Sequence, residues 1–270
     1  MERDDLRTSR ASEERYFRNA GRCSCRARTN YKTVMSEFFI SAPFGNYIKP
    51  DGCISVTGTW TLEPRGNRLW AVVKTLRYNK EVGGWTNKLG LPNPGIHIGL
   101  RKTSLSEVLS IAETNKGDFQ KLNDLIPNDQ SVELNLSCPN VEKKLTWESA
   151  KTLLHANRKW CIAKLSPLTT PEELQFLIED LGFTQFHFSN TLPFGDAGGI
   201  SGPVLRAYTI ELIELCRKEW GEEITIIAGG GVRDLGAVME YLGAGANHIS
   251  LGSVCFNPFV FRKLLKSLEL

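Results

Sequence analysis

From residue 38 onward, short β-branched runs alternate with longer stretches that are apolar along one side only, and the alternation continues to the C-terminus. Eight runs read as strands: CISVTG (53–58), WAVVKT (70–75), GIHIGL (95–100), VELNLS (132–137), WCIAKLS (160–166), TQFHFSN (184–190), ITIIAGG (224–230) and NHISLGS (247–253). Several are nearly continuous apolar runs, as expected of parallel strands buried on both faces. Between them, SLSEVLSIAETN (104–115), TWESAKTLLHAN (146–157), TPEELQFLIEDL (170–181), PVLRAYTIELIELCRKEW (203–220) and DLGAVMEYLGA (234–244) read as helices. Thr170, followed by Pro171 and Glu173, predicts a capping box with proline at the first helical position. Thr146, ahead of Glu148 and the stripe Ala150, Leu153 and Leu154, marks another helix start.

Strands alternating with helices in one domain predict an α/β fold, a single (β/α)8 TIM barrel over residues 35–270. An open doubly wound sheet is the alternative. The first two units look thin, because only twelve residues separate Gly58 from Ala71 and they include Pro64, Gly66 and no clear helix.

With 270 residues, 41% hydrophobic and 23% charged, the chain has the composition of a soluble globular protein with a substantial core. No apolar run approaches a membrane span and no secretory h-region is visible, so a cytoplasmic protein with no membrane partner is expected. The seven cysteines are scattered, which argues for a reducing compartment rather than a disulfide framework. The close pair Cys23 and Cys25 has no His or further Cys beside it, so no metal site is expected.

The net charge of +3 is unevenly placed. Residues 1–34 hold nine basic and five acidic residues, which leaves −1 for the remainder. A globular part with no basic excess gives no footing for nucleic acid. The extension lacks apolar periodicity and reads as a disordered basic tail. Met35 is a candidate alternative start, and a transit peptide fits less well because the segment is also rich in acid.

In a barrel, ligands bind at the C-terminal strand ends. The exits here carry Thr57 and Gly58; Lys74 and Thr75; Asn135, Cys138 and Asn140; Lys164; Ser189, Asn190 and Thr191; Gly229 to Gly231; and Gly252 with Ser253. AGGGV (228–232) leads into a helix, and Gly252-Ser253 ends the next strand. Backbone N–H groups of such glycines form an anion nest, so a phosphate-bearing ligand is expected. Lys74 and Lys164 supply cations from separate strands, which suits the reduced, anionic ring of a flavin. Cys138, followed by Pro139, stands where a strand must stop.

The motifs KT (74–75), NKLGLPNPG (87–95), NLSCPN (135–140), AKLSP (163–167), SNT (189–191), GGISG (198–202), AGGGV (228–232) and LGS (251–253) resemble, in order and strand placement, the dihydroorotate dehydrogenase family. The resemblance runs from about residue 38 to the C-terminus. It implies an FMN-dependent barrel that oxidises dihydroorotate to orotate in pyrimidine synthesis. By position, Lys164 would contact the flavin ring, and Gly202, Gly230, Gly231, Gly252 and Ser253 would hold the FMN phosphate. Thr57, Gly58, Thr75 and, by the same placement, Asn135 and Ser189 would line the cofactor. Asn87, Leu89, Gly90, Leu91, Asn135, Asn140, Asn190 and Thr191 would bind substrate, with Lys74 between the two ligands and part of the catalytic apparatus.

Oxidising a saturated C5–C6 bond removes a C5 proton and a C6 hydride, and Cys138 is the candidate base. A cysteine is serviceable near neutral pH when positive charge lowers its pKa. Asparagines suit a pyrimidine edge, because an amide supplies both donor and acceptor. Within the family a Cys base resembles the soluble class 1 enzymes, which suggests a homodimer. The electron acceptor stays open between fumarate, NAD through a partner subunit, and another oxidant. The chain is shorter than the family pattern between Gly58 and Lys74, between Lys74 and Asn87, and after Asn140, where only VEKKL (141–145) precedes the next helix. Two alternatives remain: a tRNA dihydrouridine synthase-like flavoenzyme, and a barrel that binds FMN or phosphate without turnover.

Overall fold

The computed structural model describes residues 36–136, 147–188 and 190–270, with only the backbone described at Arg68. The basic extension of residues 1–34, Cys138, Asn140 and Ser189 lie outside the described residues. Residues 36–270 form one compact unit.

The chain opens with β1 (Phe38–Ile40) and β2 (Cys53–Trp60), then leaves the barrel for α1 (Arg68–Thr75) and the hairpin β3 (Arg77–Asn79) and β4 (Gly84–Asn87). It returns through α2 (Ile96–Lys102), β5 (Val108–Ile111), α3 (Asp118–Leu125) and β6 (Val132–Asn135). A 3-10 segment, Trp147–Leu153, precedes β7 (Cys161–Leu165), and α4 (Pro171–Gln175), continued by a π-helical turn, precedes β8 (Gln185–Phe188). The strands β9 (Leu192–Pro193) and β10 (Gly199–Ser201) then pair with each other, and β10 also pairs with β4. Finally α5 (Arg206–Trp220), β11 (Thr225–Gly229), α6 (Leu235–Ala244), β12 (His248–Leu251) and α7 (Pro258–Ser267) complete the chain. Eight parallel strands close in the order β1-β12-β11-β8-β7-β6-β5-β2, and β3-β4-β10-β9 form a separate four-stranded sheet. The predicted (β/α)8 barrel is therefore the observed architecture.

Strand count and strand identity agree only in part. WAVVKT is not a strand but most of α1, started by the Asn67 side chain, which accepts a hydrogen bond from Trp70 N. Leu69, Val72 and Leu76 share one side of it at helical spacing. GIHIGL is likewise helical: Ile96 is fully buried, and Gly99 lies so close to the Trp60 ring that an added Cβ would sit 2.8 Å from it. Conversely, the stretch 104–115, whose apolar spacing imitates a helix, contains β5, with all four residues buried. The short β1 completes the eight. Three residues are too few to show alternation, which is why no strand was expected there.

Of the two helix starts marked in the sequence, Thr146 lies outside the described residues, and the helix expected over 146–157 is described only as the 3-10 segment Trp147–Leu153. Thr170 Oγ1 accepts from Glu173 N while the Glu173 carboxylate accepts from Thr170 N, closing the expected capping box. Asp234 and Asn257 cap α6 and α7 in the same way.

The barrel interior has two layers. Phe39, Val56, Val108, Trp160, Ile162 and Ile227 fill the lower one, with Phe39 and Trp160 packed edge to face at 5.2 Å. Because side chains alternate across a strand, residues two positions further along face the same interior nearer the strand exits. There Ser41, Ser110 and Lys164 follow Phe39, Val108 and Ile162, and the filling turns polar.

Candidate active site

The polar layer is built around a carboxylate. Glu133, mid-strand in β6 and fully buried, accepts from Ser110 Oγ at 2.9 Å on β5 and from His187 Nδ1 at 2.7 Å on β8. Its Oε1 also lies 3.5 Å from Lys164 Nζ on β7. Burial pushes the Glu133 carboxyl up, but the charges of Lys164 and His187 and the hydrogen bonds from His187 and Ser110 outweigh it, holding the pKa down to about 2. Burial, aided by the Lys164 charge, pushes the His187 pKa below its ordinary value against the pull of Glu133. His187 Nε2 is buried without a hydrogen-bond partner among the described residues.

Above this anchor stand two of the four asparagines expected from sequence. Asn190 Nδ2 donates to Asn135 Oδ1 at 2.8 Å, and Asn135 Nδ2 donates to Thr59 Oγ1 at 3.3 Å. Asn190 Oδ1 accepts from Thr191 N at 3.0 Å. The strands β6, β7 and β8 thus deliver Asn135, Lys164 and the segment leading to Asn190 to one place.

A cavity of about 740 Å³ opens over this layer, within the range that holds a cofactor and substrate. Of the expected residues, Asn87, Leu89, Lys164, Asn190, Thr191, Gly202, Gly230, Gly252 and Ser253 line it. Trp85, Phe44 and Phe256 form an aromatic side, with ring centroids 4.5 Å apart for Trp85 and Phe256 and 4.9 Å for Phe44 and Phe256.

The glycine loops fit a bound phosphate. Gly202 has φ +126° and Gly231 φ +69°, the region that favours glycine. A Cβ on Gly231 would stand 2.5 Å from Pro203 Cα, and one on Gly202 would stand 2.9 Å from Gly84 Cα. The loops after β10 and β11 are thereby packed backbone to backbone. Buried Tyr241 donates to the carbonyls of Gly229 and Gly230, at 2.8 and 2.6 Å, which ties those acceptors to α6. An anion can then be met by N–H groups.

Other expected residues are placed elsewhere. Lys74 stands exposed on α1 and does not line the cavity, because the run that carries it is a helix. Thr75 returns its hydroxyl to Ala71 O at 2.8 Å. Thr57 faces outward, its Oγ1 2.6 Å from Thr103 Oγ1 beside Trp60, and Thr59, two residues on, takes the inward position. Gly58, Gly90, Leu91, Asn135 and Gly231 are not among the residues that line the cavity.

Several residues escaped sequence reading. Buried Asn93 receives hydrogen bonds from Thr61 N and Gly95 N and donates to Thr61 Oγ1 and Leu91 O, fixing the NKLGLPNPG loop, in which Leu91 adopts φ +58°. Its signal was an asparagine between two prolines. The signal for Glu133 was a charge inside a run buried on both faces, which demands a partner.

Fold and cavity together define a (β/α)8-barrel protein with a large cavity over its strand exits. A sequence model of the family described as dihydroorotate dehydrogenase matches residues 46–270, and the chain belongs to that family. Among curated relatives, the catalytic subunit of dihydroorotate dehydrogenase B (NAD(+)) from Latilactobacillus sakei is 30% identical over 249 residues, covering 77% of each chain. Its counterpart from Cutibacterium acnes is 28% identical over 255 residues, covering 81% of this chain and 80% of that one. Among solved structures, DHODH from Eimeria tenella superposes with a TM-score of 0.66 at 17% identity, over 86% of this chain and 81% of that chain, a likeness of fold.

Proposed function

We infer that this chain oxidises dihydroorotate to orotate in pyrimidine biosynthesis, with FMN as the flavin in its cavity. The observation that carries the reading is the convergence of Lys164 and Asn190, the latter hydrogen-bonded to Asn135, at the exits of β6 to β8, where Lys164 and Asn190 line one cavity together with Gly202, Gly230 and Gly252. Family membership narrows the chemistry to this reaction.

In this reading Gly202, Gly230, Gly231, Gly252 and Ser253 hold the phosphate through backbone N–H groups. Lys164, pinned beside Glu133, keeps a positive charge at the cavity floor. Asn87, Asn135, Asn190 and Thr191 bracket the pyrimidine edge and hold C5 toward the base. Cys138 takes the C5 proton at Sγ, as a thiolate can. When bound, FMN supplies the acceptor for the C6 hydride.

No helix among the described residues is long and apolar enough to cross a membrane, in keeping with a cytoplasmic enzyme. The names of the relatives carry both NAD(+) and a catalytic subunit, which favours NAD reached through a partner subunit over fumarate as the final acceptor. Self-association as a homodimer belongs to the same reading. The test is product analysis: the FMN-loaded protein, mixed with dihydroorotate under argon, is expected to form one orotate per flavin reduced. Flavin that stays oxidised, with no orotate formed, would leave a barrel that binds without turnover.

A further inference from the structure

The hydrogen bonds of the polar layer form one unbroken chain whose direction is set at both ends. At one end Glu133 is an ionised carboxylate and can only accept. Ser110 must therefore spend its single proton on Glu133, at 2.9 Å. Its oxygen is then left to accept from Thr59, whose Oγ1 lies 3.0 Å away. With its own proton used, Thr59 can only accept from Asn135, so that amide must turn its nitrogen inward and its oxygen toward Asn190. At the other end the backbone N–H of Thr191 can only donate, which requires Asn190 to present its oxygen there and its nitrogen to Asn135. The two ends demand the same orientation, and neither amide is free to flip.

We propose that Glu133, Ser110 and Thr59 are positioning residues that act through this chain to fix the amide orientation of Asn135 and Asn190, and so the donor and acceptor pattern offered to the substrate edge. The proposal rests on the reading of the cavity as the orotate site. Asn190 lines that cavity and keeps one N–H beyond the bond to Asn135. Its fixed place matches a carbonyl or carboxylate oxygen and disfavours a ligand N–H. Ser110 is fully buried and Thr59 is 8% exposed. Both therefore act on ligand binding through the asparagines.

The experiment titrates orotate into FMN-loaded protein, following the flavin absorbance change, for wild type, Thr59→Val, Thr59→Ser, Ser110→Ala and the Thr59→Val/Ser110→Ala double variant. Each single cut is expected to weaken orotate about tenfold, the cost of one lost buried hydrogen bond. Thr59→Ser is expected to bind as wild type does. The double variant should lose no more than the weaker single variant, because the second cut falls in a chain already broken. FMN retention and melting temperature provide the folding control, and Thr59→Val, close in shape to the native residue, serves if Ser110→Ala does not fold. Wild-type affinity in Thr59→Val, or losses that add in the double variant, would overturn the proposal. A wild-type protein that binds no orotate would instead overturn the assignment of the site.

Discussion

The two layers of the barrel interior are built from the same strands and do opposite things. Phe39, Val108 and Ile162 fill the lower layer by shape alone, and the residues two positions on, Ser41, Ser110 and Lys164, meet polar partners. The lower layer gains from apolar burial and tolerates only changes of volume. In the upper layer every buried polar group sits in a low dielectric, so a missing partner costs more than a missing methyl group. The comparison locates stability below and chemistry above, a division that substitutions can break or sharpen.

Lys164→Met should have the largest effect. It removes the cation from the cavity floor and leaves Glu133 without its charged partner, so flavin reduction by dihydroorotate should fall at least about 100-fold. Stability should fall as well, by about 3–5 kcal/mol in chemical denaturation. Loss of stability alone, at unchanged reduction rate, would assign Lys164 to the structural layer. Ile162→Ala, one step below on the same strand, should cost about 2–5 kcal/mol yet leave orotate affinity per folded molecule unchanged. A matching loss of affinity would show that the layers are not separable.

Glu133 ties the layers to pH. Its folded pKa is depressed from 4.5 to about 2, so its contribution to stability is fully present above the unfolded value and is lost as pH falls through that window. The stability deficit of Glu133→Gln, read from urea midpoints, should therefore shrink between about pH 5 and about pH 3. A deficit constant with pH would contradict the ionised, paired carboxylate. The smallest effect is expected at the edge of the site: Tyr241→Phe frees the carbonyls of Gly229 and Gly230 and should weaken FMN about threefold to tenfold, measured by quenching of free-flavin fluorescence.

How much of this was legible in the sequence depended on which face of each element carried the signal. Strands β6, β7, β8, β11 and β12 are largely buried on both sides and declared themselves. Around the first units the pattern misled, because α1 is covered on one side only and exposes Leu69, Trp70 and Val73. A run of apolar residues there imitates a strand. Val108 to Ile111 erred the other way, since Leu105, Val108, Leu109 and Ala112 happen to fall at helical spacing. The expected eight strands held only because two omissions offset two wrong assignments.

The site was legible wherever a residue lines the cavity directly, as Asn190, Lys164, Gly230 and Gly252 do. It was not legible where geometry turns on local backbone. The register of β2 shifts between Thr57 and Trp60, so that Thr57 points out and Thr59 in, and the helix beneath Lys74 carries it away from the cavity. The relay through Ser110 and Thr59 joins residues 51 positions apart, and no local pattern marks it.

The most direct measurement of the central claim is stopped-flow reduction of the FMN-loaded protein by dihydroorotate without oxygen, wild type beside Cys138→Ala. Wild type should bleach the flavin band, and the variant should retain FMN and bleach about 10²- to 10⁴-fold more slowly, the share expected of a positioned base. Equal rates would remove Cys138 from the proton transfer, and a wild-type band that never bleaches would contradict dihydroorotate as the substrate.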